Sequence, residues 1–375
     1  MVGGLMMAIG IVAMVMIHEG GHFLAAKAVG MKVTEFFFGF GPRLWSIRRG
    51  ETEYGAKALP LGGYVKIVGM NPYEEVPPQD EGRTYREKPF WAKSLVVLAG
   101  IASHFVVAYL LLFLVLAVVG VHDPRRPLPV VFEVAGQLED GTTSPAGRVG
   151  LQQGDRIVGL AGEPVGSWEE LALLIREHPE QRVELVVERD GELVESSVTL
   201  AARQDEESGE TIGFLGIVPE LAVTRVGPIE AAGRAATSVA EITRLSVVGL
   251  GQLVRPETLS QYVSAVLEGS EVPPEIRPTS PVGLVRYGAQ AERLGLEVLF
   301  GLLAAVNVFV GVFNFVPLYP LDGGHFAVAL YEKVSGREAD VRKLTPVAAA
   351  VIAFFIFLGI VAIYFDIVGP LPGLG

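Results

Sequence analysis

Four apolar stretches limit what this chain can fold into. The first begins near residue 2 and runs to about 29, and the others cover 94–121, 296–318 and 347–368. Each approaches or exceeds the ~20 residues that an α-helix needs to cross ~30 Å of hydrocarbon. Half of all residues are hydrophobic and the mean hydropathy is +0.43, so the reading is an integral membrane protein with four spans. The first stretch could be taken for a signal peptide, but it has no charged leading segment and its apolar part runs directly into a polar motif. Cysteine is absent, which removes disulfides and thiolate metal sites.

Charge supplies an orientation. All eight lysines fall at 27, 32, 57, 66, 88, 93, 333 and 343. The stretch 26–94 carries 11 Lys plus Arg against 8 acids, whereas 122–296 carries 15 Arg, no Lys and 27 Asp plus Glu. Short loops rich in Lys and Arg stay cytoplasmic, while a long domain crosses whatever its charge. This predicts 26–94 and 319–346 inside, 122–296 outside, and both termini outside.

The polar motif in the first stretch is Ile17-His18-Glu19-Gly20-Gly21-His22. Two histidines four apart lie on one face of a helix, a spacing that lets both imidazoles reach one Zn²⁺ at about 2.0–2.1 Å. Glu19 between them is suited to take a proton from a water at the metal. Such a motif inside a helix of membrane length suggests hydrolysis within a bilayer. A zinc hydrolase needs three protein ligands and an open position, and no third histidine follows at short range. The third stretch leads into Asn314-Phe315-Val316-Pro317-Leu318-Tyr319-Pro320-Leu321-Asp322-Gly323-Gly324-His325. Asp322 is a lone carboxylate at its inner end, and a carboxylate at a membrane is a functional hypothesis by default. Taken alone, it reads equally as a helix cap before two glycines.

Between the spans the chain changes character. Val33–Phe38 and Tyr64–Val68 are strand-like, with glycines between them that suit turns. The expectation is a small sheet against the membrane face, because three consecutive phenylalanines argue against simple exposure. Residues 130–203 read as a compact α+β domain. Val130–Val134 and Arg182–Arg189 are strands, Asp190-Gly191 is a two-residue hairpin turn, and Ser167 with Glu170 forms a capping box for a helix over 168–177. The run Gly150-Leu151-Gln152-Gln153-Gly154-Asp155-Arg156-Ile157 resembles that of bacterial PDZ domains, which take an extended peptide beside a strand edge. A charged linker follows at 204–210. Residues 228–254 are helical in pattern but carry Glu230, Arg234, Glu241 and Arg244. Two charges in one 20-residue window cost several kcal/mol in a span, so an amphipathic helix on the outer membrane surface is expected. A proline-bearing linker covers 269–281.

Taken together, His-Glu-x-x-His in the first span and Asn-x-x-Pro-x-x-x-Leu-Asp-Gly after the third, about 300 residues apart, resemble the site-2 protease family of intramembrane zinc metalloproteases. The likeness is to bacterial members with a PDZ insert that act on sigma-factor regulators. The resemblance implies that His18, His22 and Asp322 hold Zn²⁺ and that Glu19 is the general base. It also implies that Asn314 and a Pro317–Pro320 strand grip the substrate. The expected fold is a polytopic α-helical membrane protein with four transmembrane helices, a small membrane-associated β-sheet and an extracytoplasmic PDZ-like α+β domain. Its expected parts are 1–29, 30–93, 94–121, 122–204, 205–295, 296–325, 326–346 and 347–368. The implied partners are single-pass membrane proteins such as anti-sigma factors and remnant signal peptides, the lipid bilayer, and a peptide ligand for the PDZ-like domain. Nucleic acid is not among them. The implied location is the inner or plasma membrane, with the active site facing the cytoplasm.

Two departures stand out. Gly20 and Gly21 each cost about 1 kcal/mol relative to alanine in a helix interior. Where the family's second helix has Gly-Pro-x-x-Asn, this chain has Gly100-Ile101-Ala102-Ser103-His104. His104 could donate hydrogen bonds near the site or be a structural buried histidine. His325 is read as a non-ligand, and His122 and His178 as surface residues. Two rival readings are a PDZ receptor with a structural metal site, against which Glu19 argues, and a transporter, against which the lack of an inverted repeat argues.

Overall fold

A computed structural model describes residues 2–368 except 72, 138–140, 206–207, 270–271 and 274–275. Parts of the 204–210 and 269–281 linkers therefore lie outside the described residues. The chain divides into two units, one built from residues 1–119 and 226–375 and the other from 120–225.

The first unit opens with α1 (Val2–Ala28). A long antiparallel hairpin follows, β1 (Val33–Arg49) with β2 (Thr52–Ile67). The ribbon doubles back on itself into a small antiparallel sheet, because Phe36 pairs with both Tyr54 and Val65, Phe38 with both Ala56 and Gly63, and Trp45 with Ala56. Its base is buried through Val33, Phe37 and Ile67, while Leu44 and Trp45 near its far end are exposed. Phe37 stacks on Tyr64 with ring centroids 5.8 Å apart, and Phe36 packs on Phe23 of α1 at 5.4 Å, which accounts for the phenylalanine run. Glu51 in the turn bonds Lys27 at 2.5 Å and Arg83 at 2.9 Å, tying the ribbon to the end of α1. Those hydrogen bonds, Arg83's first, hold the Glu51 carboxyl down at about 2. Helix α2 (Phe90–Leu114) ends in a π-turn over Val115–Val119.

The second unit begins with β3 (Val121–Val134). It continues through α3 (Pro145–Val149), β4 (Arg156–Leu160), β5 (Glu163–Pro164) and α4 (Trp168–Glu177). Strands β6 (Arg182–Arg189), β7 (Glu192–Thr199), β8 (Ala201–Gln204), β9 (Thr211–Phe214) and β10 (Ile217–Thr224) complete it. One sheet has the order β10-β3-β4-β6-β7, and its core includes Val131, Ile157, Leu171 and Leu185, each fully buried. The Ser167–Glu170 capping box forms. Asp190 and Gly191 take positive φ and pair Arg189 with Glu192. The domain extends past the expected boundary at 204, because β10 supplies the edge partner of β3. His122 and His178 are half-buried rather than on the surface.

Asp155 explains part of the glycine-rich run that precedes β4. It is buried, 1% exposed, and accepts Nε and Nη2 of Arg189 at 2.7 Å each and the Gln152 amide at 2.8 Å. Arg189 chiefly, with the Gln152 amide, holds its carboxyl below the usual range. The stability it contributes is therefore present above its unfolded value of about 3.9 and lost as pH falls through the lower folded value. Asp155→Asn should cost this unit about 2 kcal/mol at neutral pH. Hydrogen exchange over β4 and β6 in the full chain measures it, and unchanged protection would show the pair to be idle.

The first unit resumes with α5 (Pro228–Leu253), α6 (Pro256–Glu268), α7 (Pro281–Leu294), α8 (Leu296–Asn314), α9 (Asp322–Ser335) and α10 (Thr345–Val368). Among the described residues four helices are long and apolar enough to span: Val2–Ala28, Phe90–Val119, Leu296–Asn314 and Arg342–Val368. Their outer faces carry exposed Leu5, Ile9, Leu110 and Ile360, a surplus of apolar surface that suits lipid rather than water. Helix α5 packs Val239, Ile242 and Leu250 against the cluster of Ala108 on α2 and Ala304, Val308 and Val312 on α8. The helix is amphipathic, as its sequence pattern predicts. Its charges pair among themselves, Arg234 with Glu230 and Arg244 with Glu241 at 2.6 Å, which leaves its apolar side free to dock on the bundle. The expected 326–346 loop is largely helical, because α9 continues to Ser335.

Candidate metal centre

His18 and His22 lie one turn apart on α1 and both are buried. Asp322 is the first residue of α9, after an extended Leu321. His18 Nε2 and His22 Nε2 are 3.2 Å apart, and Asp322 Oδ2 lies 3.3 Å from the first and 3.2 Å from the second. A tetrahedron with spokes of 2.0–2.1 Å has edges of about 3.3 Å. The three atoms therefore form one face of such a tetrahedron, and the donor set of two imidazoles and one carboxylate is one that Zn²⁺ takes. The Nδ1 of His22 donates to the Val96 carbonyl at 2.8 Å, so its Nε2 lone pair faces the cluster. A partner of this kind fixes ring orientation and tautomer in metal sites.

Three sets of glycines make the meeting sterically feasible. A Cβ on Gly100 would lie 2.3 Å from the His22 ring, and one on Gly21 would lie 2.6 Å from the Ala99 carbonyl oxygen. Helices α1 and α2 therefore cross in close contact beside His22. Gly20 faces open space, with nothing within 4 Å, so packing explains only the second of the two adjacent glycines. At the other end, Cβ atoms on Gly323 and Gly324 would fall 2.3 Å from Phe315 O and 2.4 Å from Tyr319 N. The 315–321 segment lies directly on the first turn of α9, and only glycines after Asp322 allow it. Lys93 of α2 bonds Glu332 at 2.7 Å, which tethers α9 to the same bundle.

Glu19 sits beside this cluster and accepts the main-chain N–H of Val65 from β2 at 3.1 Å. Glu19, His18, His104 and Asn314, with Phe40, Gly62 and Gly63 of the hairpin, line a cavity of about 300 Å³. Pro317 and Pro320 are not among its lining residues. The expected Pro317–Pro320 strand is also absent, since 315–321 forms bends and turns. The physical reason lies in the backbone: the amides of Val316, Leu318 and Leu321 bond to Phe313, Val316 and Leu318 nearby, and the prolines have no N–H to offer a partner. His325 packs its ring against Tyr319 at 4.9 Å and Tyr85 at 6.4 Å and is not part of the ligand cluster. His104 stacks on His18 with centroids 4.7 Å apart.

Sequence reasoning did not anticipate Val96 O, Val65 N–H or the Lys93–Glu332 pair. The first two are main-chain groups and leave no mark in residue identity. The third joins residues 239 apart.

A helical bundle with four helices of spanning length and a buried His–His–Asp cluster beside a carboxylate is that of a membrane metallopeptidase. The family model described as Peptidase family M50 matches residues 6–359, and the chain belongs to that family as a zinc metalloendopeptidase with Zn²⁺ as its cofactor. Among its relatives, "Zinc metalloprotease Rip1" of Mycobacterium tuberculosis is 33% identical over 98% of each chain. "Regulator of sigma-W protease RasP" of Bacillus subtilis is 26% identical over 94% of this chain and 95% of its own. The solved PDZ domain of an SdrC-like protein from Listeria monocytogenes is 21% identical and covers 24% of this chain and 87% of its own, with a TM-score of 0.19, a superposition too loose to define a fold.

Proposed function

We propose that His18, His22 and Asp322 hold the Zn²⁺, that Glu19 is the general base, and that the enzyme cleaves single-span membrane proteins within or near their transmembrane segment. The observation that carries this reading is the near-equilateral triangle of ligand atoms at 3.2–3.3 Å beside a cavity that Glu19 and Asn314 line. The relative named as a regulator of sigma-W supports substrates of the anti-sigma-factor type, and remnant signal peptides share their single-span form.

Zn²⁺, when bound, lowers the pKa of its water towards ~7 and polarises the scissile carbonyl. Glu19 takes a proton from the attacking water and later delivers it to the leaving amine. The Val65 amide holds one carboxylate oxygen and leaves the other for this transfer. A substrate helix has its carbonyls already bonded, so it must unwind before attack. Gly62 and Gly63 bring the hairpin to the cavity, where an unwound segment can lie alongside the strand, with Asn314 bonding its backbone. Hydrocarbon holds almost no water, so the cavity opens to the cytoplasm. The lysine distribution supports the same orientation, with both termini and the 120–225 unit outside, in the inner or plasma membrane.

The test is cleavage of a single-span substrate by the purified, reconstituted chain. Chelation should abolish cleavage inside the span and Zn²⁺ should restore it. Cleavage that survives complete metal removal would end the proposal. The 120–225 unit is proposed to be PDZ-like and to exclude substrates with bulky outer domains until another protease trims them. Deleting 130–203 should admit untrimmed substrates, and full rejection by the deletion variant would count against this filter.

A further inference from the structure

His104 is fully enclosed, 1% exposed, and lines the reaction cavity with His18, Glu19 and Asn314. Helix α8 comes close at this point, where a Cβ on Gly311 would lie 3.0 Å from the His104 Cβ. One ring nitrogen, Nδ1, lies 3.4 Å from Asn307 Oδ1. Asn307 is itself buried, and its Nδ2 donates to the Leu303 carbonyl at 2.9 Å. That bond orients the amide so that its oxygen, which can only accept, faces the histidine. Nδ1 must therefore carry the hydrogen. A neutral imidazole has a single N–H, so Nε2 presents a bare lone pair. Nε2 is buried and has no partner among the described residues.

A buried acceptor in a reaction cavity suits a donor that arrives with the reactants. The attacking water has two hydrogens. One is removed by Glu19, of which only one oxygen remains free once Val65 N–H is bonded. The second needs another acceptor if the water's lone pair is to point at the carbonyl. We propose that His104 is a catalytic residue whose Nε2 accepts this second hydrogen, with its tautomer set by Asn307. The O–H bond involved is not broken; the proton that moves goes to Glu19. This rests on the hydrolytic reading of the site given above.

The test uses the full-length, zinc-loaded protein in phospholipid vesicles. With six histidines in the chain, ¹⁵N-histidine labelling and subtraction of a His104→Phe spectrum assign the ring. The expected pattern is a protonated Nδ1 and a bare Nε2, and the reverse pattern overturns the proposal. His104→Phe should keep its zinc and its KM and lose about 100-fold in kcat. Asn307→Leu should shift the hydrogen towards Nε2 and lower kcat as well, and it decides the matter if His104→Phe does not accumulate. Loss of zinc in His104→Phe would make His104 a metal ligand and overturn the assignment. Wild-type rates in both variants would overturn it while leaving the protease intact. Failure of the hydrolytic reading would look different, because the wild type itself would not cleave.

Discussion

Glu19→Gln should bring cleavage of a single-span substrate down by about 1,000-fold or more while the protein keeps its full complement of zinc. The two halves of this expectation have separate causes. Glutamine is nearly the same size as glutamate and can still accept the Val65 N–H through its amide oxygen, so the hairpin remains seated on α1. It cannot accept a proton at neutral pH, so the proton transfer proposed for Glu19 is lost. Glu19 is not one of the three atoms that form the triangle, so metal analysis should not register the change. A variant that cleaves normally would rule out Glu19 as the base. One that loses zinc would show that the carboxylate belongs to the ligand set. The inactive form should also hold its substrate, which offers a route to identifying natural partners by capture.

The second large effect concerns the carboxylate from the other end of the chain. Asp322→Asn should weaken zinc binding by more than about 100-fold, since even the outer partners of metal ligands are worth ~10–100-fold. The geometry gives the reason. The Oδ2 atom completes the triangle within 3.3 Å of both imidazole nitrogens, and a neutral amide offers the ion less charge at the same place. Cleavage falls with metal content, and excess Zn²⁺ should recover part of it. Zinc stoichiometry and affinity measured on the purified variant decide the point. An unaltered affinity would exclude Asp322 as the third ligand.

What could be read from the residues alone was whatever is written locally. The four apolar stretches mark helices of spanning length because spanning needs only length and apolarity. Asp190-Gly191 and Ser167 with Glu170 specify their turn and cap within a few residues. The members of the His18–His22–Asp322 cluster were legible from two short motifs, although their meeting depends on the fold. The failures share a different character. The course of the chain at Pro317 and Pro320 is decided by neighbouring amides and by the close seat of Gly323 under Phe315, not by β propensity. The packing partners of helix α5 are not written in its own sequence, because Ala108 and Val308 stand more than 50 residues away on either side. The domain runs past 204 because the partner of β3 arrives only with β10.

The donor that orients Glu19 is a peptide N–H, and this has an evolutionary consequence. Any amino acid except proline at position 65 supplies the same bond, so a change of side chain there leaves the Glu19 carboxylate held. A comparison of related chains that scores side-chain identity would register only how the side chain of Val65 packs against the cluster of Met31, Val33 and Ile67, although its backbone is part of what aims the carboxylate.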